Sequence, residues 1–378
     1  MQKYIKLLSL AGLCFLLYNC TKPSSSSKGT TLIMPTDSNF VYQGRIDFSD
    51  PKALKFAYTG VMIRFRFEGS TCIIHLKNRS LGKDKDGKTF KNYYTVVTDQ
   101  GKPQTYAVAN DDDHIKIRGL GKGIHEVSIY KKTEALVGEG FFEGVEIEKD
   151  KKLLPASVSS RKMEFIGNSI TCGYGNEGDS KDCTFSPETE NGYLAYGALT
   201  ARKLGADYTI VAYSGKGMYR NVDGKTSETM SLIYDRIFPD STGSVKWNYK
   251  KWQPDVIVLN LGTNDFVKGI PDSITFVNTY VNFLKRLKLY YPSSTIICLD
   301  GPMVTDAYPA GSMHLTKLRN YILASKRKFD AGGTQKIYTF SVTSTQPNEF
   351  GCDWHPNLKR HEKMSDELSK YIRTIMQW

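Results

Sequence analysis

Several features that would have pointed to a known chemistry are missing from this sequence. Seven cysteines are spread over 378 residues without a single CxxC pair, so the usual thiolate zinc sites are set aside and no metal or cofactor is expected. No basic helix or arginine-rich arm occurs. The formal net charge of +12 comes from Lys and Arg scattered through both halves among acidic residues, which describes a solvated basic surface and gives no expectation of nucleic acid. No internal repeat is present, which sets solenoids aside. What remains is an ordinary globular composition, 40% hydrophobic and 12% aromatic. The length exceeds what one core usually supports, so two folded domains are expected.

The first twenty residues are unlike the rest. Gln2-Lys3-Tyr4-Ile5-Lys6 is basic and Leu7 to Tyr18 is an apolar run, too short to span a bilayer comfortably. Leu16-Leu17-Tyr18-Asn19-Cys20 follows. This resembles a bacterial lipoprotein signal, although Asn19 replaces the usual small residue. It predicts a signal over 1–20, lipid on Cys20, export, and attachment to a bacterial membrane on its periplasmic side or at the cell surface. The serine-rich stretch behind it reads as a linker over 21–35, too polar to bury a core.

Residues 36–152 read as β structure. Val61-Met62-Ile63-Arg64-Phe65-Arg66-Phe67 alternates bulk with charge, the period-2 pattern of a half-buried strand. Similar runs recur at Ser70 to Leu76, Tyr93 to Thr98, His114 to Ile117 and Ile124 to Tyr130, separated by glycine-rich turns. A jelly-roll β-sandwich is predicted. After the charged join Lys149-Asp150-Lys151-Lys152 the pattern becomes alternating. Strands at Met163 to Ile166, Asp207 to Ala212, Val256 to Asn260 and Thr295 to Leu299 are interleaved with helices at Asn191 to Leu204, Ser273 to Tyr290 and His314 to Phe329. That predicts, over 153–378, a three-layer α/β domain with a parallel sheet. Its functional groups should gather beyond the carboxyl ends of the strands.

Four segments lie there. They are Gly167-Asn168-Ser169-Ile170-Thr171, Tyr213-Ser214-Gly215-Lys216-Gly217, Gly262-Thr263-Asn264-Asp265 and Gly351-Cys352-Asp353-Trp354-His355-Pro356-Asn357. Acyl transfer needs a nucleophile, a base and donors for an oxyanion. Ser169 is the candidate nucleophile and His355 the candidate base. Gly215 can present an unobstructed backbone N–H, and Asn264 a side-chain N–H. Each signal alone is commonplace; together and in this order they point to a serine esterase. No G-x-S-x-G elbow occurs, which disfavours the α/β-hydrolase fold.

These segments resemble the blocks of the SGNH (GDSL-like) hydrolase superfamily, with Gly-Asn-Ser where Gly-Asp-Ser is commoner. The likeness narrows to carbohydrate esterase family 2. It is carried by Gly44-Arg45, His125 and Lys131-Lys132-Thr133-Glu134 in the first half. In the second half it is carried by Ile170-Thr171-Cys172-Gly173-Tyr174-Gly175, Thr189-Glu190-Asn191 and Gly215-Lys216-Gly217. The resemblance covers roughly residue 40 onward. It implies removal of acetyl groups from xylan, glucomannan or their oligosaccharides, so an acetylated polysaccharide is the expected partner.

One departure is at the acid of the superfamily, which sits three residues before the histidine; here that residue is Cys352. Asp353 is the possible third member, but in an extended segment it faces the other way from His355. A backbone carbonyl is the expected alternative, making a Ser–His dyad whose histidine stays near the reference pKa of ~6.5. Trp354, Tyr174 and Phe266 are candidate sugar-binding aromatics. For Tyr174 and Phe266 loop packing is the plainer reading; for Trp354 the two readings stand level. His361, His314, His114 and His125 read as structural. Export permits disulfides, with Cys172 and Cys183 the nearest candidate pair. Two alternatives remain: a sugar-binding surface lipoprotein with little turnover, and an esterase for acetylated peptidoglycan or host glycans. Acetyl is preferred to long acyl chains because no long apolar lid segment flanks the site.

Overall fold

The structure is a computed structural model that describes residues 29–109, 113–241, 243–333 and 336–378. The signal and Cys20 lie outside the described residues. The first half folds as two antiparallel sheets packed face to face. One runs β3 (Ile46–Asp47), β4 (Leu54–Phe56), β11 (Gly138–Glu148), β6 (Cys72–Ser80) and β9 (Asp113–Ile117), with β1 (Thr30–Ile33) paired to β11. The other runs β12 (Leu153–Leu154), β5 (Met62–Gly69), β10 (Gly123–Lys131), β7 (Asn92–Thr98) and β8 (Gln104–Val108), with β2 (Val41–Gln43) paired to β5. The alternation in β5 works as read: Ile63, Phe65 and Phe67 are buried, while the Arg64 and Arg66 guanidinium groups reach the Ser157 and Pro155 carbonyls. Both ends of this domain run further than predicted. Thr30 to Ile33 pair with Glu148 to Val145, so the linker expected over 21–35 gives way to a strand. Leu153 and Leu154 pair with Phe67 and Arg66, beyond the expected boundary at 152.

The second half is a five-stranded sheet in the order β14 (Asp207–Ala212), β13 (Lys162–Gly167), β15 (Val256–Asn260), β16 (Thr295–Leu299), β17 (Ile337–Phe340). Every pairing in it is parallel. β15 is buried along its whole length, as a strand covered on both faces must be. Helices α2 (Tyr196–Lys203) and α6 (Leu358–Met376) pack together on one face, and α4 (Ser273–Tyr290) and α5 (His314–Asp330) pair on the other. In α4, Asp272 caps the first turn through Thr275 N, and Phe276, Tyr280, Phe283, Leu284 and Leu287 form the buried stripe. β17 and α6 were not read from the sequence. Met364, Leu368 and Ile372 anchor α6, each worth about 1.5–3 kcal/mol when fully buried.

The two halves are joined through their cores. A single apolar cluster runs from Phe65, Ile74 and Val127 of the sandwich to Tyr234, Phe283 and Leu287 of the second domain. Arg45, 1% exposed, crosses the boundary to the Tyr234 carbonyl and the Arg236 carbonyl, with its guanidinium 4.4 Å from the Tyr234 ring centroid. Strand order changes direction between β13 and β15, and the crevice above that point is where ligands bind in open α/β sheets.

Candidate active site

Ser169 opens a one-turn helix, α1 (Ser169–Cys172), directly after β13. Asn168 is its N-cap, with Oδ1 accepting Ile170 N at 3.1 Å, and Gly173 ends the turn at φ 80°. The sharp strand-to-helix change holds Ser169, 7% exposed, at the carboxyl edge of the sheet. Its Oγ lies 2.8 Å from His355 Nε2. His355 Nδ1 lies 3.0 Å from the backbone carbonyl of Asp353. A carbonyl can only accept, so Nδ1 carries the proton and the neutral ring presents Nε2 as the acceptor for the Ser169 hydroxyl.

The carbonyl arrives there through an unusual turn. Asp353 and Trp354 have φ of 50° and 63°, a left-handed pair that non-glycine residues seldom adopt. Segment 351–355 is therefore coiled, so the side-chain alternation of an extended segment does not apply to it. The Asp353 carboxylate still does not reach the imidazole: it accepts the Tyr174 hydroxyl at 2.8 Å and Phe185 N at 2.9 Å. Tyr174 stacks on His355 with centroids 4.1 Å apart and on Phe185 at 4.5 Å. The turn is also pinned by a disulfide between Cys183 and Cys352 and by the bond from Asp353 N to Cys183 O at 2.8 Å. The nearest candidate pair in the sequence, Cys172 with Cys183, is not the one formed: Cys172 is a buried free thiol. Burial of the ring lowers the His355 pKa to about 4, against the partial support of the Asp353 and Cys352 backbone groups. This lies below the expected value near 6.5 because burial removes imidazolium hydration and the Asp353 charge offsets that only in part.

Opposite the histidine, the loop after β14 places Gly215 at φ 78°. Among the described residues, neither its N–H nor that of Ser169 has a hydrogen-bond partner. Asn264 Nδ2 donates to Lys216 O at 2.8 Å, which fixes the amide plane and leaves its second N–H for the site. The sequence reading missed Asp265. Its fully buried carboxylate accepts Met218 N, Tyr219 N and Arg220 N at 2.9, 2.7 and 2.8 Å, tying the glycine loop to the Asn264 turn. Burial raises its pKa to about 6 against those bonds. A Cβ on Gly217 would collide with the Arg220 carbonyl and also meet Asp265 Oδ2 at 2.7 Å, so the tight turn requires glycine. The signal was the Asn-Asp dipeptide itself, which reads equally well as a turn.

Of the three aromatic candidates, Trp354 is 53% exposed beside His355, with Lys181 Nζ 4.5 Å from its ring centroid. Tyr174 braces the histidine. Phe266 is 2% exposed and packs edge-on against His314 at 5.4 Å, so it lies in the core and its candidate sugar contact is withdrawn. His361 caps α2: its Nδ1 accepts Tyr196 N at 3.0 Å.

A five-stranded parallel sheet with serine, glycine, asparagine and histidine segments converging on its carboxyl edge defines the GDSL-like hydrolase class. Residues 165–362 match the model of the GDSL-like Lipase/Acylhydrolase family, and residues 42–156 match that described as Carbohydrate esterase 2 N-terminal. The structure of a family two carbohydrate esterase from Clostridium thermocellum in complex with cellohexaose is 33% identical with a TM-score of 0.81, over 90% of this chain and 99% of that one. This chain belongs to carbohydrate esterase family 2. It is 27% identical to an acetylxylan esterase / glucomannan deacetylase of Cellvibrio japonicus over 100% of both chains. It is 33% identical to the cellulase/esterase CelE of Acetivibrio thermocellus over 91% of its own length, and spans 40% of that larger protein.

Proposed function

We propose that the protein is a serine esterase that removes O-acetyl groups from plant cell-wall polysaccharide, xylan or glucomannan or their oligosaccharides. The observation that carries this reading is the 2.8 Å contact from Ser169 Oγ to His355 Nε2 with Nδ1 held on a backbone carbonyl. In the reaction Ser169 Oγ attacks the acetyl carbonyl while Nε2 takes the hydroxyl proton. The oxyanion is held by Ser169 N–H, Gly215 N–H and the second N–H of Asn264 Nδ2. His355 then gives its proton to the departing sugar oxygen, leaving acetyl-Ser169. Water, deprotonated by the same nitrogen, attacks that ester; as the bond to Oγ breaks, Nε2 returns the proton to Ser169 and acetate is released. Asp353 serves through its carbonyl, which holds the imidazole in the productive tautomer; its carboxylate makes no hydrogen bond to the ring and acts on the transient imidazolium only through its charge. Trp354 is the sugar platform at the mouth.

The polysaccharide class is supported by the two Cellvibrio and Clostridium relatives, and the acetyl preference by the lack of an apolar lid segment in the sequence. Acetate release from acetylated xylan, glucomannan, peptidoglycan and host-type glycans tests it. Turnover confined to the plant polysaccharides supports the reading; turnover confined to the others, or on none, overturns it. Export and lipidation of Cys20, read from Leu7 to Cys20, are proposed with it. Cys20→Ser should leave the membrane fraction or retain its signal.

A further inference from the structure

Glu134 belongs to the sandwich, in the connection between β10 and β11, yet its side chain ends behind the active site of the other domain. It is fully buried. Its Oε2 accepts Ser214 N at 2.8 Å and the Cys172 thiol at 3.6 Å, and its Oε1 accepts the Ser214 hydroxyl. Ser214 immediately precedes Gly215, and Cys172 is the last residue of the turn that begins at Ser169. One carboxylate therefore holds the two loops that bear the backbone donors, which leave the adjacent strands β13 and β14.

The carboxylate is itself fixed. Glu134 N donates to Glu190 Oε2 at 2.9 Å, and Lys131 Nζ donates to the Glu134 and Thr133 carbonyls at 3.0 and 2.8 Å. Burial raises both carboxyls. Glu190 lies well above the usual range, with the Glu134 charge adding to the effect, while the bonds from Ser214 hold Glu134 down. Of the two, Glu190 is raised the further. A buried carboxyl group is costly to desolvate, and an apolar side chain would fill the same space without that cost. What an apolar side chain cannot do is bond Ser214 and Cys172 together.

We propose that Glu134 is a positioning residue for the oxyanion hole, setting the separation of the Ser169 and Gly215 N–H groups from the neighbouring domain. The sandwich is then part of the catalytic machinery. This rests on the esterase reading above, so the test carries controls that separate the two.

Hydrolysis of 4-nitrophenyl acetate by the full chain is compared for wild type, Ser169→Ala, Glu134→Ala and Glu134→Gln, with thermal midpoints recorded. Activity in Ser169→Ala near that of wild type would refute the underlying reading on its own. With that control inactive, folded Glu134→Ala should lose about 30- to 10^3-fold in kcat with KM within about threefold, because a misplaced donor acts on the transition state. Glu134→Gln, which keeps one acceptor oxygen, should fall between. A kcat within about twofold of wild type in folded Glu134→Ala, or a loss expressed in KM alone, overturns the proposal. Should Glu134→Ala fail to fold, Ser214→Ala decides. It keeps the N–H bond and loses the hydroxyl bond, and should lower kcat about three- to tenfold at constant KM; an unchanged kcat overturns the proposal.

Discussion

At His355 the proton balance is set by what surrounds the ring. The lowered pKa, about 4, means the imidazole is neutral and able to act as a base at any pH well above that value. The acidic limb of kcat/KM should therefore fall as pH drops through about 4, with activity level from neutrality to about pH 5. A limb centred near 6.5 would show that the ring is hydrated in solution. Because only the carbonyl of Asp353 touches the imidazole, Asp353→Asn should cost less than about tenfold in kcat, measured with acetyl esters on folded protein. Asparagine also tolerates the left-handed φ there. A loss near ~10^4 would instead place the carboxylate in a working triad. The sequence named Ser169, His355, Gly215 and Asn264 as candidates because each sits in a short segment beyond a strand end, and the structure sets Ser169 Oγ 2.8 Å from His355 Nε2. It failed at Phe266, where position beside Asn264 said nothing of which way the ring points.

Among the elements, segment 351–355 is the least ordinary. Its two left-handed residues are held by the Cys183–Cys352 bond, by Asp353 N on Cys183 O and by Cys352 N on Gly175 O at 3.0 Å. Cys352 stands where the superfamily has its acid, and here that position ties down the histidine turn. Cys352→Ser should lose about 2–4 kcal/mol of stability, measured by denaturant unfolding. Its kcat should fall about tenfold or more as the Asp353 carbonyl drifts from Nδ1. Equal activity in oxidised wild type and Cys352→Ser would show that the turn holds itself. The partners are 169 residues apart, and no local pattern could have paired them, whereas helix α4 was readable to both ends because its cap and its stripe are local. Strand β17 escaped because Ile337 to Phe340 is four residues long, too short for a period to show.

As a whole molecule, the two domains share more than a hinge. The apolar cluster crosses the boundary, and the crossing polar side chains, Arg45 and Glu134, are both buried. Cutting the chain there would expose unpaired charge and core together. Calorimetry should show one cooperative transition for the full chain, and residues 159–378 expressed alone should not fold to a soluble monomer; two separate transitions would contradict this. The division into sandwich and α/β halves was legible from the change of period near residue 150. The interlock was not, because the local pattern of Lys131 to Glu134 says nothing of the partners that Glu134 finds 38 and 80 residues away at Cys172 and Ser214. The measurement that bears most directly on the whole account is acetate release from acetylated glucomannan by folded Ser169→Ala. The account predicts a kcat lower by about 10^4-fold or more, and activity retained within tenfold of wild type would contradict it.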